Sequence, residues 1–456
     1  MVLWVPASGA RDIHSFINDN SGSFSGHGDH SKTQNVKKWA VLVAGSNYFY
    51  NYRHQSDVCH AYQILRNGGL RDENIIIFMY DDIAYNPENR KPGVILNKLN
   101  GSNVYEGVPK DYTGDQVNAE NLYNVILANR SGLTGGSGKV LESGPNDHIF
   151  IYYADHGDAG LLGMPVGEPV YANDLLKVLK TKHQAKSYSE MVIYVEACES
   201  GSMFDGLLPE NMNIYVTTAA NPTESSYACY YDPELDNYLG DSYSVSWMED
   251  SEAHDLGKET LDEQYQGVKK RTGNSSEFGD ISHVMLYGTK KLGRNTVSDF
   301  FGSHQKKKTS VFDWKTEPSS MLPLVPQHEV KLYLLRQKYL RAAKGSAEMR
   351  GAKKQLDNEI FHRERADRTL KQIINALFVS QNASTINVRR TYGKPIVDDW
   401  DCFKSMAKTY EKHCGKVSTY GIQYTREMAK MCNTGIRVEQ LASIASVVCG
   451  WGKLNN

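Results

Sequence analysis

Short unbroken apolar runs alternate along the chain with stretches of helical period. Lys38-Trp-Ala-Val-Leu-Val-Ala-Gly45, Asn74-Ile-Ile-Ile-Phe-Met-Tyr80, Ile149-Phe-Ile-Tyr-Tyr-Ala-Asp-His156-Gly157, Met191-Val-Ile-Tyr-Val-Glu-Ala-Cys198-Glu-Ser-Gly201 and Asn213-Ile-Tyr-Val-Thr-Thr218 are rich in β-branched and aromatic residues. That composition predicts strands buried on both faces. A helix is predicted from Asp57 through Arg66, closed by Asn67-Gly68-Gly69. Strands separated by helical stretches predict a largely parallel α/β sheet flanked by helices. From about Phe300 the pattern changes, and Lys306-Lys-Lys308, Pro318 and Pro323-Leu-Val-Pro326 read as linker. Beyond it Val330, Leu334 and Leu335 share one helical face, and Ile373, Ile374 and Leu377 another. No strand-like alternation follows, so the C-terminal part is predicted to be a small all-helical domain. Residues 1–37, rich in Ser, Gly, Asp and His without period, read as a flexible leader.

At 456 residues the chain exceeds a single comfortable core. The expected division is a leader 1–37, an α/β domain 38–298, a basic linker or activation segment 299–357 and a helical domain 358–456. An apolar content of 40% with 23% charged residues fits a soluble globular protein, and no run approaches the ~18 apolar residues of a membrane span. The net charge of −2 hides an asymmetry: residues 299–372 carry 16 Lys and Arg against 9 Asp and Glu, a local +7 that leaves −9 on the remainder. The apolar opening Met1–Ala10 lacks a basic start and a full apolar core, as a worn signal peptide would. Sequons at Asn100, Asn129, Asn274 and Asn382 point the same way, to the secretory pathway and glycosylation. Of the seven cysteines, Cys402, Cys414, Cys432 and Cys449 crowd into the tail. An even clustered set without Cys-x-x-Cys predicts two disulfides rather than zinc, in any of three connectivities.

Two strand ends carry the chemistry. One run ends on His156 and the other on Cys198, with a glycine following closely in each. Parallel sheets place ligands at the carboxyl ends of their strands, so the pair predicts a cysteine nucleophile with a histidine base. Backbone N–H groups at Gly157 and Cys198 are candidate donors for the developing oxyanion.

Tyr152-Tyr-Ala-Asp-His156-Gly157, Glu196-Ala-Cys198-Glu-Ser-Gly201, Asn51-Tyr-Arg53-His54, Thr217-Thr-Ala-Ala-Asn-Pro-Thr-Glu-Ser-Ser226 and Leu239-Gly-Asp241 resemble the legumain family, the asparaginyl endopeptidases or vacuolar processing enzymes. The resemblance spans residues 38 to about 290 and, more loosely, the tail. It implies a caspase-like fold, Cys198 as nucleophile, His156 as base and Asn51 as the group orienting the histidine. It also implies a side-chain pocket of Arg53, Glu196, Ser226 and Asp241, no cofactor and no metal. Those residue types suit asparagine, whose amide offers one acceptor and two donors. Aspartate would add a third carboxylate, so its cleavage is expected only in acid. Asp155 resembles a family position that can form a succinimide, and a plain turn aspartate is preferred here. Water or an amine can complete the reaction, and the positions matching those that tilt this balance in plant relatives are Ala228 and Asp158-Ala159. A protease with some ligase capacity is expected, with a peptide asparaginyl ligase as the alternative.

The family is made as a zymogen whose helical C-terminal domain covers the cleft. The resemblance therefore implies pairing of Cys402 with Cys432 and Cys414 with Cys449, and self-activation in acid. Attraction between the +7 segment and an acidic body would fade as carboxylates protonate. Partners expected on the same ground are peptides and proteins with accessible asparagine, the chain's own tail and cystatin-type inhibitors. The compartment expected is lysosome, vacuole or the secreted space. No asparagine lies between Asn295 and Asn358, which leaves Asn358 and Asp313 as candidate activation sites.

Other signals fail. Gly132-Leu-Thr-Gly-Gly-Ser-Gly-Lys139 resembles a phosphate loop but has Leu133 at the first glycine position and Val140 where Ser or Thr belongs. His27-Gly-Asp-His30 lacks further ligand spacing. A role for the basic stretch in binding an anionic polymer, nucleic acid or membrane lacks aromatic interleaving. A lipid-anchor transamidase would favour a C-terminal membrane span, and an inactive homologue would have lost a dyad member.

Overall fold

The computed structural model describes residues 36–273, 282–303, 323–379 and 393–450. The leader up to residue 35, Asn274, Asn382, Lys306–Lys308, Asp313 and Pro318 lie outside them.

In chain order the longer elements are β1 (Lys38–Ala44), α1 (Tyr52–Asn67), β2 (Ile75–Phe78), α2 (Ala119–Ile126), β3 (His148–Ala154), α3 (Ala172–Gln184), β4 (Glu190–Glu196) and β5 (Ile214–Thr218). There follow β6 (Tyr227–Asp232), β7 (Asn237–Asp241), α4 (Ser242–Ala253), α5 (Leu261–Gly273) and β8 (Met285–Gly288). The main sheet has the order β8-β5-β4-β3-β1-β2. All its neighbours are parallel except β8, which runs antiparallel to β5.

Alternate residues of each strand feed opposite faces. Leu42, Phe150, Tyr152, Val192 and Tyr194 pack with α1 and α4, whereas Val43, Ile149, Ile151, Ile193 and Val195 pack with α2 and α3. Burial on both faces explains why these strands read as continuous apolar runs. The helix α1 begins at Tyr52 rather than Asp57, because its first turns bury polar side chains, Arg53, His54, Gln55 and Ser56. An apolar period cannot mark such a stretch.

A second sheet, β7-β6-β9, includes β9 (Val325–Pro326) from the stretch expected as linker. A 3₁₀ turn at Gln327–Glu329 leads to α6 (Val330–Arg341). The long α7 (Ala347–Val379) runs unbroken across residues 357 and 358. Then come α8 (Trp400–Cys414), α9 (Thr425–Asn433) and α10 (Val438–Gly450). Disulfides join Cys402 to Cys432 and Cys414 to Cys449, while Cys59, Cys198 and Cys229 are free and buried. The tail core of Ile373, Leu377, Phe403, Met406 and Met428 takes in Leu161 and Tyr171 from the α/β body. Asn100 and Asn129 are exposed.

Candidate active site

Sheet register fixes where the two reactive side chains emerge. Ala154 of β3 pairs with Glu196 of β4, so His156 and Cys198 each lie two residues past the same rung of a parallel ladder. Gly157 lets the two ends touch: a Cβ there would lie 2.7 Å from the Cys198 carbonyl oxygen and 3.0 Å from the Ala197 Cβ. His156 Nε2 lies 2.8 Å from Asn51 Oδ1. Asn51 Nδ2 donates to the Asn47 carbonyl at 2.9 Å, which turns Oδ1 toward the ring. An amide oxygen opposite Nε2 puts the imidazole proton there and leaves Nδ1 as the free acceptor. Cys198 Sγ accepts the Ser226 N–H at 3.4 Å. Burial pushes its thiol up to about 12, with that N–H opposing. Burial also holds His156 well below its ordinary 6.5, with Arg53 and His328 adding to it. Both shifts favour the neutral form of each group.

Arg53, Glu196, Ser226 and Asp241 meet in one buried pocket. Arg53 Nε donates to Asp241 Oδ1 at 2.8 Å, and Nη1 to the Tyr50 carbonyl at 3.3 Å. Glu196 Oε2 accepts from both the N–H and the hydroxyl of Ser244, each at 3.0 Å. Burial, then the neighbouring Asp241, raises the Glu196 carboxyl. Burial raises Asp241 too, and Arg53 is the main opposing cause. His54 completes the wall; its Nδ1 lies 2.6 Å from Ser46 Oγ and 3.3 Å from Asp155 Oδ1. Asp155 is buried and its carboxyl is pushed up to about 8 by that burial.

The pocket is filled by the chain itself. Gln327 Oε1 lies 3.3 Å from Arg53 Nη2 and 3.2 Å from His54 Nε2. Gln327 Nε2 donates to Glu196 Oε1 at 3.2 Å and to Ser226 Oγ at 2.9 Å. Its backbone N–H donates to the Ser226 carbonyl at 3.0 Å, and just before it β9 pairs with β6 through Val325 to Ala228 and Pro326 to Tyr227. Every polar atom of the amide is therefore met by a partner of opposite hydrogen-bonding sense. Sequence reasoning did not single out Gln327, because it sought an asparagine, and it quoted His54 without giving it a part. The signal available was a glutamine, the same amide on one more methylene, at the end of the proline-bounded stretch.

Tail and body are joined by carboxylate to cation contacts. Asp158 Oδ2 accepts from the Thr425 hydroxyl and, at 3.1 Å, from the Arg426 N–H. The Arg426 guanidinium meets Glu199, next to the candidate nucleophile, and donates to the Pro222 carbonyl at 2.9 Å. Lys404 pairs with Asp174 at 2.7 Å, Lys408 with Glu168 at 3.5 Å and Arg341 with Asp236 at 3.2 Å. These pairs fall largely at 404–426, not in the +7 segment. Part of that segment's charge is spent internally, as in Arg363 with Glu329 and Glu359, and Lys331 with Glu359. A cavity of about 590 Å³ remains between the tail and the side of the site that holds Asn51 and His156, walled by Arg363, Tyr420 and Thr425.

Among the described residues two groups could offer three metal-ligating atoms, His54 with Asp155 and His156, and Asp250 with His254 and Glu259. In the first, His54 Nδ1 and Nε2 and His156 Nε2 already face Ser46, Gln327 and Asn51. In the second, His254 Nδ1 lies 3.1 Å from Asp250 and 3.3 Å from Glu259, as an ion pair would.

Comparison with known proteins assigns the family. Residues 38–304 match the Peptidase C13 family, and residues 354–449 match the legumain prodomain. The chain is 48% identical over 442 residues to the vacuolar-processing enzyme delta-isozyme of Arabidopsis thaliana, covering 95% of this chain and 93% of that one. It is 50% identical over 424 residues to the vacuolar-processing enzyme of Vicia sativa, covering 90% and 85%. Among solved structures, caspase-1 from Spodoptera frugiperda aligns with a TM-score of 0.35 at 10% identity, covering 60% of this chain and 94% of that one. No helix of the described residues is long and apolar enough to cross a membrane. A Peptidase C13 region followed by a legumain prodomain makes this chain a member of the Peptidase C13 family, a cysteine endopeptidase of the legumain type.

Proposed function

We propose that the enzyme cleaves peptide bonds after asparagine, and after aspartate in acid, with Cys198 as nucleophile and His156 as base. The observation that carries this reading is the Gln327 amide seated in the pocket, hydrogen-bonded at both its oxygen and its nitrogen. An asparagine before the scissile bond presents the same amide one methylene shorter. A site that pairs every polar atom of a substrate side chain can reject analogues by about 10⁴-fold or more.

In the proposed reaction the Cys198 proton passes to His156 Nδ1, whose partner Nε2–H is held by Asn51. Sulfur then bonds to the carbonyl carbon, and the Gly157 and Cys198 N–H groups receive the oxyanion. The C–N bond breaks, the departing amine takes the proton from His156, and a thioester remains. Water releases the acid and regenerates the thiol; an incoming amine would instead form a new peptide bond. Names of the plant relatives support the vacuole as the compartment.

The test is to acidify the full-length chain with peptides differing only in Asn, Asp or Gln. Asn should be cut in acid and near neutrality, Asp only in acid, because its carboxylate would face Glu196, and Gln at least about 10²-fold more slowly. Equal Asp and Asn cleavage at neutral pH would sink the pocket assignment.

The same proposal includes a tail that covers the cleft until acid loosens it. Sign matters for which groups respond. Glu199 is raised by burial and by Asp158, with Arg426 opposing. A carboxyl raised in the folded state contributes stability below its unfolded pKa and loses it as pH rises, so acid favours the covered form of Glu199. The tail is also tied to the body by the part-exposed pairs of Lys404 with Asp174 and Lys408 with Glu168. Replacing both, Asp174→Asn with Glu168→Gln, should raise cleavage of an Asn peptide by the full-length chain near neutral pH about 3- to 30-fold, since each exposed pair is worth up to about 1 kcal/mol. An unchanged rate would remove these pairs from the latch.

A further inference from the structure

Next to the amide-binding residues lies a further buried carboxyl that the proposed reaction does not use. Asp57, on α1 one turn past Arg53, has no solvent exposure, and neither has Asp241 on β7. Asp57 Oδ1 accepts from Asn97 Nδ2 at 2.7 Å. The same Nδ2 also reaches Ser56 Oγ at 2.9 Å and the Leu239 carbonyl at 3.1 Å. The other oxygen, Oδ2, has no hydrogen-bond partner, and neither has Asp241 Oδ2, near which His54 Nε2 stands at 3.5 Å while it faces Gln327 Oε1 at 3.2 Å. The two carboxyls face each other closely enough to share a hydrogen bond. Gly240 makes the approach possible, since a Cβ there would lie 3.1 Å from Asp57 Oδ1 and 2.6 Å from a Val245 methyl.

Two facing carboxylate oxygens without a donor between them repel, and one proton resolves both. The groups around Asp57 agree. Arg53 and Cys59 share its helix, while Asp241 faces it from β7, Glu196 from β4, Tyr152 from β3 and Cys229 from β6. Of these only Arg53 carries positive charge, and its Nε is committed to Asp241 Oδ1. Burial and Asp241 both raise the Asp57 carboxyl well above its ordinary value, which supports what the geometry requires.

Resting on the pocket assigned above, we propose that Asp57 is a positioning residue for side-chain recognition: its carboxyl donates a hydrogen bond to Asp241 and so holds that carboxylate, and through it the Arg53 guanidinium, toward the substrate amide oxygen. Asp57 touches no substrate atom itself. Its effect should appear in how well the amide is bound.

The role depends on a donor at this position and not on a charge, which makes it separable. Asp57→Asn keeps Oδ1 for Asn97 and offers a permanent N–H to Asp241, whereas Asp57→Leu keeps the volume and offers neither. In the full-length chain, acidified and assayed on an Asn peptide, Asp57→Asn should retain kcat/KM within about threefold. Asp57→Leu should lose at least about tenfold, in KM more than in kcat, while alkylation of Cys198 by iodoacetamide, which needs no side-chain pocket, proceeds at the wild-type rate. Should Asp57→Leu fail to fold, Asp57→Asn decides alone: retention supports the donor role, and a loss of tenfold or more in a folded protein overturns it. Equal losses in both variants, or a loss borne by kcat with slowed alkylation, would likewise overturn it. If the wild type itself does not cut the Asn peptide, the pocket assignment has failed, a result distinct from any difference between the variants.

Discussion

Cys198→Ala is expected to lower cleavage of an Asn peptide by at least about 10⁴-fold, because the nucleophile has no substitute in the site. The fold should survive. The buried thiol makes contacts of modest strength, with the Ser226 N–H at 3.4 Å and the Ser226 carbonyl at 3.9 Å, so its loss should cost no more than about 1–2 kcal/mol. In acid the variant should also stay at full length while the wild type shortens, read by intact-mass spectrometry. Residual cleavage of a tenth or more would mean that another group attacks the peptide. Shortening of the pure variant would mean that tail removal does not need this thiol.

The second large effect belongs to Arg53→Ala. The guanidinium is fully buried and ties together Asp241, the Tyr50 carbonyl and the amide oxygen of whatever fills the pocket. Its removal should lower kcat/KM for Asn peptides by at least about 10³-fold, since an acceptor is left facing no cation. It should also destabilise the protein by about 3–5 kcal/mol, the usual cost of leaving a buried charge without its partner. The loss should depend on pH with a definite sign. Asp241 already sits above its ordinary value, and Arg53 is the main cause holding it down. Without Arg53 it rises further, so its contribution is present below the unfolded carboxyl pKa near 4 and fades as pH rises. The gap in Tm between wild type and Arg53→Ala should therefore widen from acid to neutral pH. A constant gap would show that the variant loses packing and not charge balance.

How much of this was legible in the sequence depended on which force shaped each part. The strands that deliver His156 and Cys198 were plain, because burial on both faces demands continuous apolar runs. Their opposition followed from parallel pairing, and the register of Ala154 with Glu196 supplied the detail. The start of α1 was not legible, because Arg53, His54 and Asp57 turn inward to line and support a pocket, against the period that marks ordinary helices. The β6–β7 hairpin mixes tyrosine, aspartate and asparagine, and its pairing comes from tertiary context. Charge counting pointed to residues 299–372, and among the described residues the cations paired with carboxylates of the α/β body include Arg341 of that stretch and Lys404, Lys408 and Arg426 beyond it. Net charge does not reveal that Arg363 and Lys331 are satisfied by Glu359 within the tail, while Lys404, Lys408 and Arg426 reach across.

Gln327 also has a kinetic meaning. A side chain tethered beside its own pocket competes at an effective concentration in the millimolar range or above. Free peptides at micromolar levels would be outcompeted about a thousandfold before any question of catalytic power arose. Shielding of the active site then needs only modest affinity for one amide, and it ends for good once the tether is cut.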